Sequence, residues 1–484
     1  MENNIDRRSI VLLTACLFLG VVAQMLFFQR DLGVNVFITV TVFYLIFFMN
    51  FRHCPLAEKR MGILLLGVIL MIAFNYTLYD FALMQALNIL VLPMLIFAHV
   101  VLITKPKTFE WHHPYLLTWM AQTAGGILKE NRRYIDGLNE KIGKQMDRDK
   151  YEAMKKVVIG LLVGAPILMI VLLLLMQADA VFQNLLGKIP VLFSNFEEIV
   201  GRIVVALLVS GTVFGLFQSL QRPSTPHLPE QVRPQMDGII ALTILVLLNS
   251  VYLLFIFVQF TYFFGGELQN GLSYSEYARR GFFELLAVTL VNLSVLLPML
   301  LFQKVEGLYI QRVLKALYAL LIVFSMILLV SAFQRLLLYE SQYGYTMDRL
   351  LAMMFMIFLF VLFTYTLIKV WIPRLPLIHF YIICAFIFYT CMNGFNLESW
   401  VVEKNLERYD RTGDVDMAYL NSLSYTGVSA LLDLYEEGFE HPHLEFILQK
   451  RYDQWVVNEE NSWVSYNYQK NKVEQRLREW GQTP

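Results

Sequence analysis

Eleven long apolar runs fill the first 392 residues of the chain. They cover residues 10–28, 34–49, 61–79, 84–103, 157–176, 199–220, 238–264, 281–302, 313–333, 350–370 and 377–392. About 20 apolar residues in a helix match the hydrocarbon thickness of a bilayer, and no water-soluble core needs so many such runs. The runs are continuous rather than alternating, which excludes the strands of a membrane barrel. The expected fold is all-α: a polytopic helical membrane protein with about 11 transmembrane helices and a small C-terminal helical extracytoplasmic domain. The second and eleventh runs are short, so the expected count is 10–12.

Composition agrees. The 484 residues are 57% hydrophobic and 16% charged, against about a quarter charged in soluble domains. The four cysteines form no CxxC pair and no metal-ligand spacing, so neither a disulfide framework nor a metal site is expected. Arg7 and Arg8 precede the first run, and Leu13 to Cys16 resembles a lipoprotein cleavage box. Cleavage there would bisect a good span, so the run reads as a retained helix.

Charge gives the runs a direction. With the N-terminus in the cytoplasm, the inside segments hold 21 Lys and Arg and the outside connections hold six: Arg30, Lys188, Arg279, Arg280, Arg335 and Arg349. That bias fits an ordinary inner membrane. An odd number of spans then leaves the tail, 393–484, outside, with sixteen acidic and nine basic residues. The expected organisation is an N-terminal membrane region of four spans (1–103), a cytoplasmic amphipathic basic connection (104–156), a membrane core of seven spans (157–392) and the acidic helical tail (393–484).

The connection 104–156 carries eleven basic and seven acidic residues. After Gly125-Gly126, Leu128, Ile135, Leu138, Ile142 and Met146 recur at helical spacing, as in an amphipathic helix lying along the inner leaflet; a docking surface for a cytoplasmic partner is the sharper alternative. Four prolines between Arg222 and Pro234 read as a stiff linker. In the tail, helical patterns separated by Thr412-Gly413-Asp414, Gly438 and Pro442 predict five short helices.

Two polar constellations stand out. Ser273 and Glu276 form a capping box. Glu276, Arg280 and Glu284 then recur every four residues on one helical face, with Arg279 beside them and Asn292 two turns deeper. Glu284 falls within an apolar run, where a lone carboxylate is costly. The set is either a structural ion-pair ladder or the polar entrance to a ligand or proton pathway. The second constellation follows the ninth run: Arg335, Tyr339, Glu340, Tyr343, Asp348 and Arg349, with Thr346 placed to cap the tenth span. It is either an interfacial aromatic belt or a binding rim. Gly160 with Gly164 and Gly211 with Gly215 are GxxxG pairs suited to close helix packing. His99 and His379, within the runs, could join a proton relay only if they face one cavity.

No Walker loop, GxGxxG, HExxH or GxSxG motif occurs in the chain, which disfavours nucleotide-driven transport and soluble-type catalysis. No cofactor and no nucleic-acid partner is expected; the expected partners are the lipid bilayer and a membrane or cytoplasmic protein.

Tyr274 to Glu284, Arg335 to Arg349 and Glu398 to Leu423 resemble an uncharacterised bacterial multi-pass membrane family, domain of unknown function 4173 (4153-like). In particular, Asn396 to Tyr409 resembles that family's N-x-E-x-W-V-V-E-x-N-L-E-R-Y segment. The resemblance covers the chain from about Val157 onward. It implies a bacterial multi-pass protein and carries no activity or ligand with it. Three functions stay open: a secondary transporter or permease entered at the eighth span, a non-enzymatic sensor or scaffold coupling outer loops and tail to a partner, and a membrane enzyme acting on a lipid-linked substrate with Glu276 and Glu340 as candidate carboxylates.

Overall fold

The computed structural model describes residues 7–52, 59–104, 115–145, 196–222, 236–264, 282–304, 307–439, 441–457 and 462–482, with isolated positions between 153 and 175. Glu276, Arg279, Arg280, most of the fifth apolar run and the proline-rich linker lie outside the described residues.

Among the described residues, ten helices are long and apolar enough to cross a membrane. They are α1 (Arg7–Phe27), α2 (Val34–Phe51), α3 (Lys59–Leu78), α4 (Ala82–Thr104), α6 (Phe196–Gln221), α7 (Gly238–Phe264), α8 (Phe282–Phe302), α9 (Leu308–Tyr343), α10 (Met347–Trp371) and α11 (Leu377–Gly394). Helix α5 (Tyr115–Gln145) lies between α4 and α6. The tail folds as α12 (Leu397–Thr412), α13 (Met417–Ser422), α14 (Ser424–Glu436), α15 (Pro442–Tyr452) and α16 (Tyr468–Trp480), with a π-turn at Asp453–Val457 and a 3-10 turn at Trp463–Ser465. The chain is an all-α polytopic helical membrane protein. One two-residue parallel ladder, Met236–Asp237 against Gln303–Lys304, is its sole sheet among the described residues.

Local chemistry sets the ends. Helix α9 runs past the apolar limit at Phe333 to Tyr343 because nothing breaks it before Gly344, whose φ of 79° is left-handed. At 36 residues it is roughly 54 Å long, so it outreaches a hydrocarbon core of about 30 Å. Asn396 caps α12 by accepting from the Ser399 amide at 3.1 Å, and Asp416 caps α13 by accepting from the Tyr419 amide at 2.9 Å. Thr346 sits at the N-cap of α10, but its side chain makes no capping bond.

The chain divides into two compact units. The first comprises Met1–Leu78, Ala86–Pro226 and Glu460–Tyr468. In it, α1 and α6 run antiparallel: a Cβ on Gly20 would meet the Ala206 carbonyl oxygen at 2.3 Å, and one on Gly201 the Phe28 ring at 2.7 Å. Arg202 lies over the Phe28 ring and bonds Glu198. Helix α5 also runs antiparallel to α6. Asn131 Nδ2 donates to the Gly211 carbonyl at 2.7 Å, and a Cβ on Gly215 would stand 2.5 Å from the Ile127 carbonyl oxygen. Buried Glu130 is paired with Arg222 at 3.2 Å. The amphipathic helix thus lies along a spanning helix, because two glycines one turn apart remove the side chains that would hold it off. Leu128 and Ile135 are on its exposed side. His99 is buried here and shares a 2.8 Å hydrogen bond with Tyr44; His379 belongs to the other unit.

The second unit comprises Tyr79–Gln85, His227–Glu459 and Gln469–Pro484. Its core joins α7 to α10 with the tail helices. Leu321, Ile322, Phe363, Val401, Val428, Leu431, Leu448 and Leu477 are wholly buried. The Tyr425 and Trp455 rings stack at 4.0 Å, and the Arg451 guanidinium lies over Trp455 at 4.7 Å.

Enlarging the glycine contact of α5 tests this packing. Gly215→Leu overpacks it and is expected to cost about 1–3 kcal/mol, read as a lower unfolding temperature of the detergent-purified chain. Gly67→Leu, where a Cβ meets nothing within 4 Å, should leave that temperature unchanged.

Candidate functional site

Helix α12 carries a carboxylate into the interior of the second unit. The Asn396 cap puts Glu398 in the first helical turn. Residues three and four apart share a helix face, so Glu398 lies on the side of Val401 and Val402, which are buried. Glu398 is 5% exposed. The Thr426 hydroxyl donates to its Oε2 at 3.0 Å. Gln469 Nε2 donates to the Thr426 hydroxyl oxygen, and Gln469 Oε1 accepts from the Asp80 backbone amide at 3.2 Å. The Asp80 carboxylate in turn accepts from Ser424 at 2.9 Å and from Gln85 at 3.2 Å.

One connected network therefore joins α12, α14 and α16 of the tail to the connection between α3 and α4. It contains two carboxylates and no cation among its bonded members. Burial, reinforced by the neighbouring Asp80 charge and opposed by the Thr426 bond, pushes the Glu398 carboxyl up to about 8. At neutral pH it is mainly protonated, which removes most of the cost of burying it near the Asp80 carboxylate.

A second contact holds the tail to the turn between α9 and α10. Asn405 Oδ1 accepts from the Tyr345 amide at 3.0 Å, and its Nδ2 donates to the Tyr345 carbonyl at 2.8 Å. Arg408 donates to the Gln342 carbonyl at 3.2 Å, and the Met347 amide donates to the Tyr419 hydroxyl at 2.7 Å. Trp400 meets Tyr345 edge to face at 5.4 Å. Gly344 is required there: its φ is positive, and a Cβ would lie 2.7 Å from Asn405 Oδ1. The Tyr419 hydroxyl lies within electrostatic reach of Asp348, Arg349 and Glu398; burial pushes it up to about 12, so it stays protonated and polar at every physiological pH.

The residues of the rim gather around this turn. Arg349 lies over the Tyr339 ring at 4.3 Å and donates to the Gly344 carbonyl; Tyr339 and Tyr343 are 4.9 Å apart. Glu340 is 2% exposed, and its Oε1 has no hydrogen-bond partner among the described residues. Asp348 occupies the first turn of α10, and Arg335 lies on the extension of α9.

The entrance residues are placed differently from one another. Glu284 is exposed in the first turn of α8. Asn292 is fully buried, accepting from Tyr252 at 2.6 Å and donating to Ser325 at 2.9 Å. The two therefore do not share a surface. Gly160 and Gly164 are exposed, with nothing among the described residues within 4 Å of an added Cβ. Among the described residues no group of three or more His, Cys, Asp or Glu is set to hold a metal ion.

Sequence reasoning missed Glu398 and Asp80 as a pair. The first had a signal, a carboxylate sharing a helix face with two valines. The second had none, since its bonded partners in the tail, Ser424 and Gln469, stand more than three hundred residues away.

The model of the family Domain of unknown function (DUF4153) matches residues 61–434. That is well over half of the chain, and the chain belongs to this family. The match begins within α3, well before the stretch that carried the resemblance, and ends within α14. No match was found among curated proteins or among solved structures.

The raised Glu398 carboxyl fixes the sign of a pH effect. The folded protein binds this proton more tightly than the unfolded chain. Its contribution is thus full below about pH 4.5 and is lost as pH rises through about 8, on the order of a few kcal/mol. Limited proteolysis of the tail should accelerate across that window in the wild type. Glu398→Gln, which keeps an acceptor for Thr426, should flatten the profile. Asn405→Ala removes two bonds to Tyr345, costs about 1–3 kcal/mol, and should speed cleavage equally at all pH values.

Proposed function

We propose that the protein is a non-enzymatic sensor or scaffold of a bacterial cytoplasmic membrane, in which the C-terminal tail is held on the outer ends of the spans by a protonatable contact. The observation that carries this reading is the buried Glu398 network, reaching from the tail to Asp80 in a connection between spans. Ionisation of Glu398 would place a buried negative charge near the half-buried Asp80 carboxylate, and like charges near a protein's interior repel more strongly than in water. The contact is closed when Glu398 carries its proton and opens when it does not.

The side of the membrane follows from charge and parity together. Asp80 and the turn at Gly344 both bond to the tail. An eleven-span chain with its N-terminus in the cytoplasm puts all three outside, in keeping with the excess of Lys and Arg on the opposite side. The N-terminus is then cytoplasmic and the tail extracytoplasmic.

A secondary transporter or permease entered at α8 is the second reading. It is favoured by the polar line inside the second unit: Asn249 Oδ1 is buried with no partner among the described residues, and Asn292 bonds both Tyr252 and Ser325. Transport needs such groups to meet a moving ion or solute, whereas helix glue needs only their mutual bonds.

Two measurements decide. In vesicles with the tail outward, a spin-label pair on α14 and the α3–α4 connection should separate as the external pH rises from 6 to 9, and should ignore the internal pH. Glu398→Gln should hold the short distance throughout. An unchanged wild-type distance would sink the sensor reading, and a proton or ion flux abolished by Asn249→Leu would establish the transporter. For topology, a cysteine on the exposed side of α12 should react with an impermeant maleimide in intact cells; protection until lysis would reverse the orientation.

A further inference from the structure

The first unit takes one short piece of the tail, Glu460–Tyr468, and this piece is pinned to the ends of two spanning helices. The Val34 amide, the first of α2, donates to the Tyr466 carbonyl at 3.0 Å. A Cβ on Gly33 would stand 2.6 Å from the Tyr466 carbonyl oxygen and 2.7 Å from Ser465. Buried Asn467 donates to the Tyr76 carbonyl at 2.9 Å, within the last turn of α3. The backbone of 465–467 is thus fixed at the level where the apolar runs stop, which is the headgroup boundary of a bilayer.

The side chains of this segment divide. Val464 packs inward and is buried, while Trp463 is 72% exposed and Tyr466 and Tyr468 are exposed beside it. Indole and phenol combine a large apolar face with one polar group, the combination that prefers the membrane interface to either water or hydrocarbon. Exposed apolar side chains also stand near the ends of the spans that the segment is bonded to or adjoins, Met25 near the end of α1 and Phe74 within the last two turns of α3. Arg30 is exposed in the α1–α2 turn, beside the Gly33 end of α2.

We infer that the 3-10 turn Trp463–Ser465 is a lipid-binding foot, which seats Trp463, Tyr466 and Tyr468 in the interface of the leaflet on the tail's side, with phospholipid as the occupant. The tail is then attached to the membrane itself as well as to the spans. The foot's contacts at Gly33 with Ser465 and at Asn467 with Tyr76 do not involve Glu398.

The full chain labelled with 5-fluorotryptophan, in nanodiscs of phosphatidylethanolamine and phosphatidylglycerol, tests this. The fluorine resonance missing from Trp463→Phe identifies the residue, and the conservative variant keeps an aromatic ring in place. Lipid carrying a spin label just below the headgroup should broaden that resonance several-fold more than a water-soluble gadolinium chelate does. Stronger broadening by the chelate would put Trp463 in water and overturn the proposal. Protection from both would mean that protein covers it, from a second copy or another chain, and would overturn it equally.

Discussion

A peptide group inside hydrocarbon has no water to bond, so every crossing segment must satisfy its own backbone, and helices do this within one segment. The rest of the architecture follows from that constraint. Hydroxyls inside the spans close back on their own helices: Thr289 on Leu285, Thr366 on Leu362, Ser210 on Ala206. Side chains with more bonding capacity reach across. Asn292 links α7, α8 and α9 through Tyr252 and Ser325, and His99 links α4 to α2 through Tyr44. Asn131 completes the contact of α5 with α6 on the bare carbonyl of Gly211.

The tail obeys a different rule. Water can satisfy its backbone, so nothing forces a carboxylate into its interior. Glu398 is nevertheless buried, with one hydroxyl donor and another carboxylate nearby. A charged Glu398 would pay desolvation without a compensating cation, whereas a protonated one loses much less. Asp80 is only half-buried, and two donors, Ser424 and Gln85, bond its oxygens. In the sensor reading, this asymmetry between the two carboxylates is what would make the contact respond to protons.

The spans were legible because hydrophobic length is a property of consecutive residues. The tail's helices were nearly as legible: Asn396, Asp416 and Gly413 are local signals, and the structure uses each of them at a helix end. Placement in space was the harder part. Glu284 stood out in the sequence because a carboxylate followed by an apolar run looks buried, yet the first turn of a helix can face outward, and here it does. Asp80 was invisible because its tail partners, Ser424 and Gln469, arrive only when the last helices of the chain fold back on it. The segment 396–409, prominent in the sequence, supplies the cap, the buried carboxylate and Asn405 in one helix, so its density of distinctive residues had a structural cause.

Helix α12 consequently has two attachments of unlike chemistry. Glu398 and Asn405 are seven residues apart, roughly 10 Å along the axis. The Asn405 pairing with Tyr345 is neutral amide to neutral backbone and is indifferent to pH. The Glu398 network depends on one proton. In the sensor reading, loss of that proton would release one attachment of α12 while the other stays bonded to the turn at Gly344, where a Cβ would lie 2.7 Å from Asn405 Oδ1. Helix α12 would then pivot on its remaining attachment rather than detach, which is what that reading requires.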